Sequence, residues 1–196
     1  MTKIDTVFGK WMSGLFWVGL VQVFLLWPAL PGHSQGLDQQ GPIDYDKLFN
    51  EGLKRGGKLL DLSGKKIGDA GVDRLIASGI LGKVEKVDLR YNEISAAGAK
   101  RIAEMSPLPK IKVLIMRHNI LGDTGSLALA QSKSFPNLQE MQLGWTETRD
   151  AGALAFGETA NFPKLKKLDL RGNFLANATK DSLKKSLERL RSLKLY

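Results

Sequence analysis

Residues 84–94 have the sequence VEKVDLRYNEI, and residues 111–121, which lie 27 positions later, have the sequence IKVLIMRHNIL. The same step carries two columns of apolar residues through five segments of the chain. The first column is Leu60, Val87, Leu114, Met141 and Leu168, and the second is Leu62, Leu89, Met116, Leu143 and Leu170. A shortened sixth segment, Leu190–Tyr196, comes two residues early. A fixed period of this length predicts an α/β solenoid of about five and a half 27-residue repeats.

Each repeat is predicted to start with a short strand and a turn. Apolar and polar residues alternate across the two columns, which favours a strand with one buried face. Asparagine follows three residues after the second column, at Asn92, Asn119 and Asn173, and Thr146 takes this position in the fourth repeat. A buried amide at such a turn can bond backbone groups that have just left the sheet.

The second half of each repeat is predicted to be a helix on the outer side of the solenoid. One apolar position recurs on this helix, at Leu75, Ile102, Leu129, Phe156 and Leu183. Glycine recurs where the chain would bend into the helix, and proline recurs where the helix would end, because proline lacks an amide donor. The glycines are Gly71, Gly98, Gly125 and Gly152, and the prolines are Pro109, Pro136 and Pro163.

The helical halves also carry a family resemblance. They contain IGDAGVDRLI at 67–76, ISAAGAKRIA at 94–103, LGDTGSLALA at 121–130 and RDAGALAF at 149–156. The first three resemble the ribonuclease-inhibitor-like class of leucine-rich repeats, and the fourth resembles the GALA-type variant of bacterial proteins. The resemblance covers about residues 57–196. It implies a right-handed β-α superhelix that serves as a binding scaffold, without a fixed set of functional residues.

The N-terminal segment, residues 1–34, has two open interpretations. Trp11–Leu30 is almost uninterrupted apolar sequence, and Lys3 and Lys10 precede it. Small residues at positions 32 and 34 are typical of a signal peptide that is cut after Ser34. Twenty apolar residues are also enough for a retained membrane anchor. In both cases the positive residues stay in the cytoplasm and the repeats lie outside it.

The rest of the chain is expected to divide into two parts. Residues 35–56 would form a linker and an N-terminal cap, with one short helix over Tyr45–Lys54, and residues 57–196 would form the leucine-rich-repeat domain. The chain stops at Tyr196, within the last predicted strand. An unpaired strand edge at that position favours self-association.

Composition argues against catalysis and metal binding. The chain has no cysteine and two histidines, His33 and His118, so it offers no thiol nucleophile, no cysteine-bound zinc and no multi-histidine site within the repeats. Asp61 and Asp88 would lie on neighbouring strands, but an aspartate between strand leucines is ordinary in this repeat. We therefore predict no catalytic residue, no metal and no cofactor. Since secreted animal and plant proteins of this fold usually carry disulfide caps, the lack of cysteine favours a bacterial envelope protein.

The charge of the chain admits two interpretations. Without residues 1–34 it carries 27 basic and 19 acidic residues, a net charge of +8. This favours anionic partners such as phospholipid head groups, acidic glycans or acidic protein surfaces. In the second interpretation, the positive charge only keeps the protein soluble and binds no partner. We expect no nucleic acid partner.

A candidate binding site follows from the positions beside the buried leucines, which would point to the concave surface. Arginine occupies the position after the second leucine in three repeats, and large aromatic or imidazole side chains occupy the next position in three. Arginine, tyrosine and tryptophan are enriched in binding hot spots. The predicted site comprises Arg90, Tyr91, Ile115, Arg117, His118, Trp145 and Arg171.

These features predict a non-enzymatic protein-interaction module of the bacterial cell envelope. It would be secreted or periplasmic, either free or tethered to the inner membrane by residues 11–30, and would bind a macromolecular partner, expected to be a protein, on its concave face. The alternative is a structural envelope protein that holds anionic lipid or glycan on its basic surface.

Overall fold

The computed structural model of the protein describes residues 43–196. The predicted signal peptide or anchor, residues 1–34, and the first part of the predicted linker lie outside this range. Within the described range, no helix combines the length and apolar character that a membrane crossing requires.

Seven short strands form one sheet, in which strands that are consecutive in the chain are also adjacent in space. They are β1 (Leu53–Lys54), β2 (Leu59–Asp61), β3 (Lys86–Asp88), β4 (Val113–Ile115), β5 (Glu140–Gln142), β6 (Lys167–Asp169) and β7 (Ser192–Lys194). β1 is antiparallel to β2, and each later pair is parallel. The register aligns Leu60 with Val87 and keeps this 27-residue step up to Leu168, which pairs with Leu193 after 25 residues. This topology is consistent with the predicted solenoid.

Six α-helices cover one face of the sheet. They are α1 (Tyr45–Gly52), α2 (Gly68–Ala77), α3 (Ala96–Ala103), α4 (Gly122–Gln131), α5 (Asp150–Glu158) and α6 (Asn177–Ser186), with a short 3-10 helix at Ile80–Gly82. The predicted inward positions are all buried, from Leu75 on α2 to Leu183 on α6. They pack against the sheet leucines in one continuous core. The other face of the sheet, which we call the open face, points away from the helices.

The prediction that proline ends each outer helix was wrong. α3, α4 and α5 end five or six residues before the prolines. Serine hydroxyls bind the carbonyl at the end of α3 instead: Ser132 Oγ and Ser134 Oγ donate to the Ala103 carbonyl at 2.7 and 2.9 Å. The residues just before the prolines, Leu108, Phe135 and Phe162, are buried in the core.

The repeated glycines do not bend the chain into the helices; they lie within the first turn of each helix. Their role is close packing against the preceding repeat. A Cβ on Gly152 would lie 2.9 Å from Asp123 Cα and 3.0 Å from its carbonyl oxygen. A Cβ on Gly125 would lie 3.1 Å from Ala96 Cα. Only glycine lets neighbouring helices approach to this distance.

Aspartates cap the start of the helix in the next repeat. Asp123 Oδ1 on α4 accepts hydrogen bonds from the Arg149 and Gly152 amides at the start of α5, both at 2.8 Å. Asp150 on α5 accepts in the same way from the Ala176 amide at 2.9 Å, just before α6. A carboxylate near the first amides of a helix also interacts favourably with the helix dipole. Each of these helices is therefore completed by its predecessor.

The predicted asparagine positions form a ladder of buried amides. Asn119 Nδ2 donates to the Leu89 and Met116 carbonyls at 2.9 and 2.8 Å. Its Oδ1 accepts from the Asn92 and Ile94 amides at 3.1 and 3.0 Å. The predicted bonding of backbone groups at the turn is confirmed, and the structure adds that one side chain satisfies groups of two repeats.

The fourth repeat replaces this amide with a chain of hydroxyl groups. Thr146 Oγ1 donates to the Leu143 carbonyl at 2.8 Å and lies 2.8 Å from Thr148 Oγ1. Thr148 Oγ1 in turn lies 2.6 Å from Ser126 Oγ on α4. Both threonines are fully buried. Asn173 of the next repeat accepts hydrogen bonds from both threonine amides, so the ladder continues past the substitution.

The two ends of the described chain differ in part from expectation. The predicted helix over Tyr45–Lys54 stops at Gly52, and Leu53–Lys54 form β1 instead. Phe49 on α1 is buried against the first repeat. At the other end, β7 stops at Lys194, and the exposed Tyr196 is bound by the Lys184 ammonium, which donates to its hydroxyl at 3.0 Å. Self-association through β7 stays a prediction.

Candidate binding surface

Three side chains stack on one another where β3, β4 and β5 end. The ring centroids of Tyr91 and His118 are 4.2 Å apart, and those of His118 and Trp145 are 4.8 Å apart. Each pair is almost parallel, with an interplanar angle of 9°. These distances follow the spacing of neighbouring strands, about 4.8 Å, because the three residues occupy the same position of successive repeats. We call Tyr91, His118 and Trp145 the aromatic strip.

The strip is built on an unusual backbone conformation. Tyr91, His118 and Trp145 have φ values of 55°, 56° and 54°, and the glycines at the equivalent positions, Gly64 and Gly172, have 71° and 69°. The left-handed region costs a residue with a side chain roughly 1–2 kcal/mol relative to ordinary conformations. The strip therefore holds three large rings where glycine would be less strained. Lys66, Glu93 and Glu147, two residues further along three of these turns, are also left-handed, so the conformation belongs to the repeated turn.

Trp145 is held on both faces. One face stacks on His118, and the ring also lies so close to Gly172 that a Cβ there would overlap the indole. The Arg117 guanidinium carbon is 4.8 Å from the ring centroid, within the range of a cation–π interaction. Trp145 nevertheless remains 41% exposed. It is therefore both accessible and fixed in place.

Arginines lie beside the strip, and two of them are paired with aspartates on their own strands. Arg90 Nε donates to the Asp88 carboxylate at 2.9 Å, and Arg90 Nη2 lies 2.8 Å from Asp88 Oδ2. Arg171 Nε and Nη2 donate to the two oxygens of Asp169 at 3.0 and 2.7 Å. Such two-pronged pairs fix the guanidinium plane. Both arginines are therefore oriented before any partner arrives.

Arg117 has no such carboxylate, because Ile115 occupies the aspartate position of its strand. Within residues 43–196 it makes no ion pair within 4.0 Å, and its Nε is buried without a hydrogen-bond partner. Its guanidinium packs against Trp145 instead. Arg117 is thus the one member of the predicted arginine row whose charge is not neutralised on its own strand.

The carboxylates of the open face are structural groups. Burial acts to raise the pKa of Asp169, but hydrogen bonds from Arg171 and the charges of Arg171 and Arg117 outweigh it, so the pKa is lowered. Burial also opposes ionisation of Asp61, and hydrogen bonds from Ser63 again leave its pKa lowered. Carboxylates held ionised in this way are poor proton donors at neutral pH. Asp61 and Asp169 therefore serve mainly to hold the side chains bonded to them.

Ile115 does not fit the predicted site. It lies on the open face, as alternation along the strand requires, but it is 4% exposed. Asp88 and Gln142 flank it in the sheet register. A side chain covered to this extent offers almost no surface to a partner. The structure brings the other six predicted residues to the open face, with Arg171 separated from Arg117 by Gly144.

We expect the His118 imidazole to titrate at a pKa below that of a histidine in a peptide. Burial in the stack lowers its pKa, and the nearby charges of Arg117 and Arg90 lower it further. Arg117→Gln should therefore raise the pKa, while Arg171→Gln should leave it unchanged. NMR titration of the His118 ring protons measures this, and a pKa above the peptide value would contradict the dominant effect of burial and of the two arginines.

The direction of this shift fixes its effect on stability. Because the unfolded chain binds the proton more tightly than the folded protein, acidification through the unfolded pKa of histidine should lower the free energy of unfolding. The contribution of His118 is fully present above that pKa.

Sequence reasoning missed two parts of this surface. The Asp88–Arg90 and Asp169–Arg171 pairs were not predicted, although residues two apart on a strand lie on the same face. The packing of Trp145 over Gly172 was also missed. It depends on a side chain leaning across to the next repeat, which a single repeat does not reveal.

Residues 83–103, which contain β3 and α3, match the family model described as Leucine Rich repeat. No curated protein matches the sequence significantly. The matched segment, the mostly parallel sheet and the six helices are together consistent with a leucine-rich-repeat protein. Domains of this family generally mediate protein–protein interaction.

Proposed function

We propose that the chain is a non-enzymatic leucine-rich-repeat module that binds a protein partner on its open face, through the aromatic strip and the arginines beside it. Its repeats would belong to the ribonuclease-inhibitor-like or GALA-type class and number about five and a half. The observation that carries the proposal is the stack of three parallel rings, clamped by Arg117 and partly exposed to solvent.

The energetics of binding support this choice. Tyr91 is 52% exposed and Trp145 is 41% exposed, so both still have surface to bury in a complex. Their rings are already ordered by stacking, and Arg90 and Arg171 are ordered by their aspartates. The side chains of this surface therefore lose little conformational entropy when a partner binds. Rigid aromatic and arginine side chains are also the types that dominate measured hot spots.

We expect Trp145→Ala to weaken binding of the partner by about 2 kcal/mol, because it removes the largest exposed ring of the strip. The partner would first be isolated with the tagged full-length protein from a bacterial envelope extract, and affinities would be measured by titration calorimetry. Phe174→Ala is the matched control, since Phe174 is 73% exposed but lies outside the strip.

The thermal stability of the Trp145→Ala protein must be measured together with its affinity. Because Trp145 also packs over Gly172, Trp145→Ala should lower the thermal midpoint modestly, and affinities should be compared at temperatures where both proteins are folded. Equal affinities of the Trp145→Ala protein and the unchanged protein would overturn the proposed site.

We also propose that the repeats are exported, either as a secreted or periplasmic protein or tethered by residues 11–30. The support is the order of the sequence, with Lys3 and Lys10 before the apolar segment. A reporter that is active only outside the cytoplasm, fused after Tyr196, should be active. Activity of a reporter that works only inside the cytoplasm would contradict export.

A second candidate function is binding of anionic lipid or glycan, and the distribution of charge favours it. Residues 164–196 contain ten basic and three acidic residues. In the first repeats Glu85 lies between Lys58 and Lys112, at 3.9 and 2.8 Å, but the equivalent positions of the last repeats are Gln139, Lys166 and Arg191, with no acid. Binding to anionic lipid vesicles that weakens steeply as the salt concentration rises, and that is unchanged by Trp145→Ala, would favour this function over protein binding.

A further inference from the structure

We infer that the partner inserts a neutral aromatic side chain at the open end of the aromatic strip, where it stacks on Tyr91 above Gly64. This inference rests on the proposed function, because it names the chemistry that the same surface would recognise.

The two ends of the strip are not equivalent. At one end the Trp145 ring lies against Gly172, and a Cβ there would overlap it. Gly64 is the equivalent residue at the other end, and a Cβ built on it would meet no heavy atom within 4 Å. The rings therefore lean toward the later repeats and leave the position above Gly64 empty.

Tyr91 presents a free face to this space. One face of its ring is covered by His118 at a centroid distance of 4.2 Å. The opposite face points toward the first repeat, where Gly64 supplies no side chain. Of the two rings at the ends of the strip, Tyr91 has a larger exposed fraction than Trp145. Parallel rings gain stability beyond the area they bury. An unpaired ring face at the end of such a stack is a site for one more ring.

The first repeat lies at the right spacing for one more ring. Successive members of the strip are 4.2 and 4.8 Å apart, and the first repeat lies one strand spacing further on. The Gly64 backbone already has the left-handed conformation of the other positions, with φ of 71°. A ligand ring would continue the stack without a change in the backbone.

The surrounding charges favour a neutral ring. A cationic group would approach the ammonium group of Lys65, the residue that follows Gly64, whereas the charge of Arg90 is already paired with Asp88. The nearby carboxylate, Asp61, already accepts hydrogen bonds from the Ser63 amide and hydroxyl at 3.1 and 2.8 Å. A sugar ring would need several polar side chains directed at its hydroxyls, and Ser63 already directs its hydroxyl proton to Asp61 Oδ1. A neutral aromatic side chain requires neither an acid nor a hydrogen-bond partner.

The test is an NMR titration of the full-length protein with N-acetyl-tryptophanamide, following the ring protons of Tyr91. We expect a saturable upfield shift, because the indole would lie over the ring face. Gly64→Tyr should lower the affinity roughly tenfold, since the chain would then fill the space with its own ring. Gly79→Tyr is the matched control: Gly79 is also left-handed, with φ of 66° and no atom within 4 Å of a Cβ, and it lies outside the strip.

A second variant keeps the test decisive if Gly64→Tyr does not fold. Tyr91→Asn removes the ring while using a residue that tolerates left-handed backbone, and it should weaken binding of N-acetyl-tryptophanamide, followed through the resonances of the indole itself, by at least as much as Gly64→Tyr. No shift in the unchanged protein, or an equal loss in the Gly64→Tyr and Gly79→Tyr proteins, would overturn the inference. A shift with chito-oligosaccharide but not with the indole would also overturn it, in favour of a glycan site.

The outcome separates this inference from the proposed function. If the indole shifts the ring-proton resonances of Tyr91 while the affinity for the partner is unchanged by Trp145→Ala, the ring site is supported and the proposed function fails. If partner binding requires Trp145 but is unaffected by Gly64→Tyr, the proposed function is supported and the inference is overturned.

Discussion

Asn119→Ala is expected to lower the free energy of unfolding by roughly 3–5 kcal/mol. The substitution leaves the Leu89 and Met116 carbonyls and the Asn92 and Ile94 amides without their partner. Asn119 is only 3% exposed, so water does not readily replace it. The shift of the urea midpoint at constant slope measures the loss.

Thr146→Ala is the control for this experiment, because it alters the same position of the next repeat. It removes a hydrogen bond to the Leu143 carbonyl, a contact with Thr148 and a long hydrogen bond of 3.4 Å to Asn173 Oδ1, and Thr148 keeps its contact with Ser126. We expect a loss of about 1–2 kcal/mol. Equal losses for the two variants would show that the amide ladder does not carry the stability assigned to it.

Gly152→Ala is expected to lower the free energy of unfolding by about 3 kcal/mol, although alanine is ordinarily the better helix residue. The new Cβ would lie 2.9 Å from Asp123 Cα and 2.8 Å from Asp123 Oδ1. The backbone of α4 would have to move, and Asp123 would lose its bonds to the amides at the start of α5. Overpacking and the loss of a helix cap therefore act together.

Gly82→Ala separates this contact from the general effect of replacing glycine. Gly82 is not in the left-handed region, and a Cβ there would meet no atom within 4 Å. We expect its substitution to be neutral or to stabilise by about 0.4–1 kcal/mol, through the unfolded chain. If both variants were neutral in a thermal melt, the close approach of α4 and α5 would be disproved.

The period of 27 residues made most of the fold predictable. Once Leu60 and Val87 are known to occupy equivalent positions, the register of the sheet, the inward helix column and the asparagine ladder follow from stacking. The glycines were misjudged because their role depends on the helix of the preceding repeat. The sequence pattern shows that glycine recurs at Gly152, but it does not show which atoms of the preceding repeat a Cβ there would contact.

The candidate site was predictable only in part. Alternation along β4 correctly places Ile115 on the open face, but alternation does not show how much the neighbouring side chains cover it. The alignment of Tyr91, His118 and Trp145 was visible in the sequence, whereas their parallel stacking depends on a shared left-handed backbone. The direction in which the rings lean, which leaves the space at Gly64, is a property of the whole array.

The bonds between repeats also constrain how a chain of this kind changes in length. Aspartate carboxylates reach forward to the next helix, as from Asp123 to Gly152, and ladder amides reach back, as from Asn119 to Leu89. Gain or loss of one whole unit keeps each donor opposite an acceptor. An insertion between a strand and the start of its helix would leave buried polar groups without partners at one boundary, at about 1–3 kcal/mol each, whereas the segment between α6 and β7 is already two residues shorter, since Leu168 pairs with Leu193 after 25 residues. Descendants of this sequence could therefore widen or narrow their binding face only in whole steps, each adding or removing one strand of about 4.8 Å.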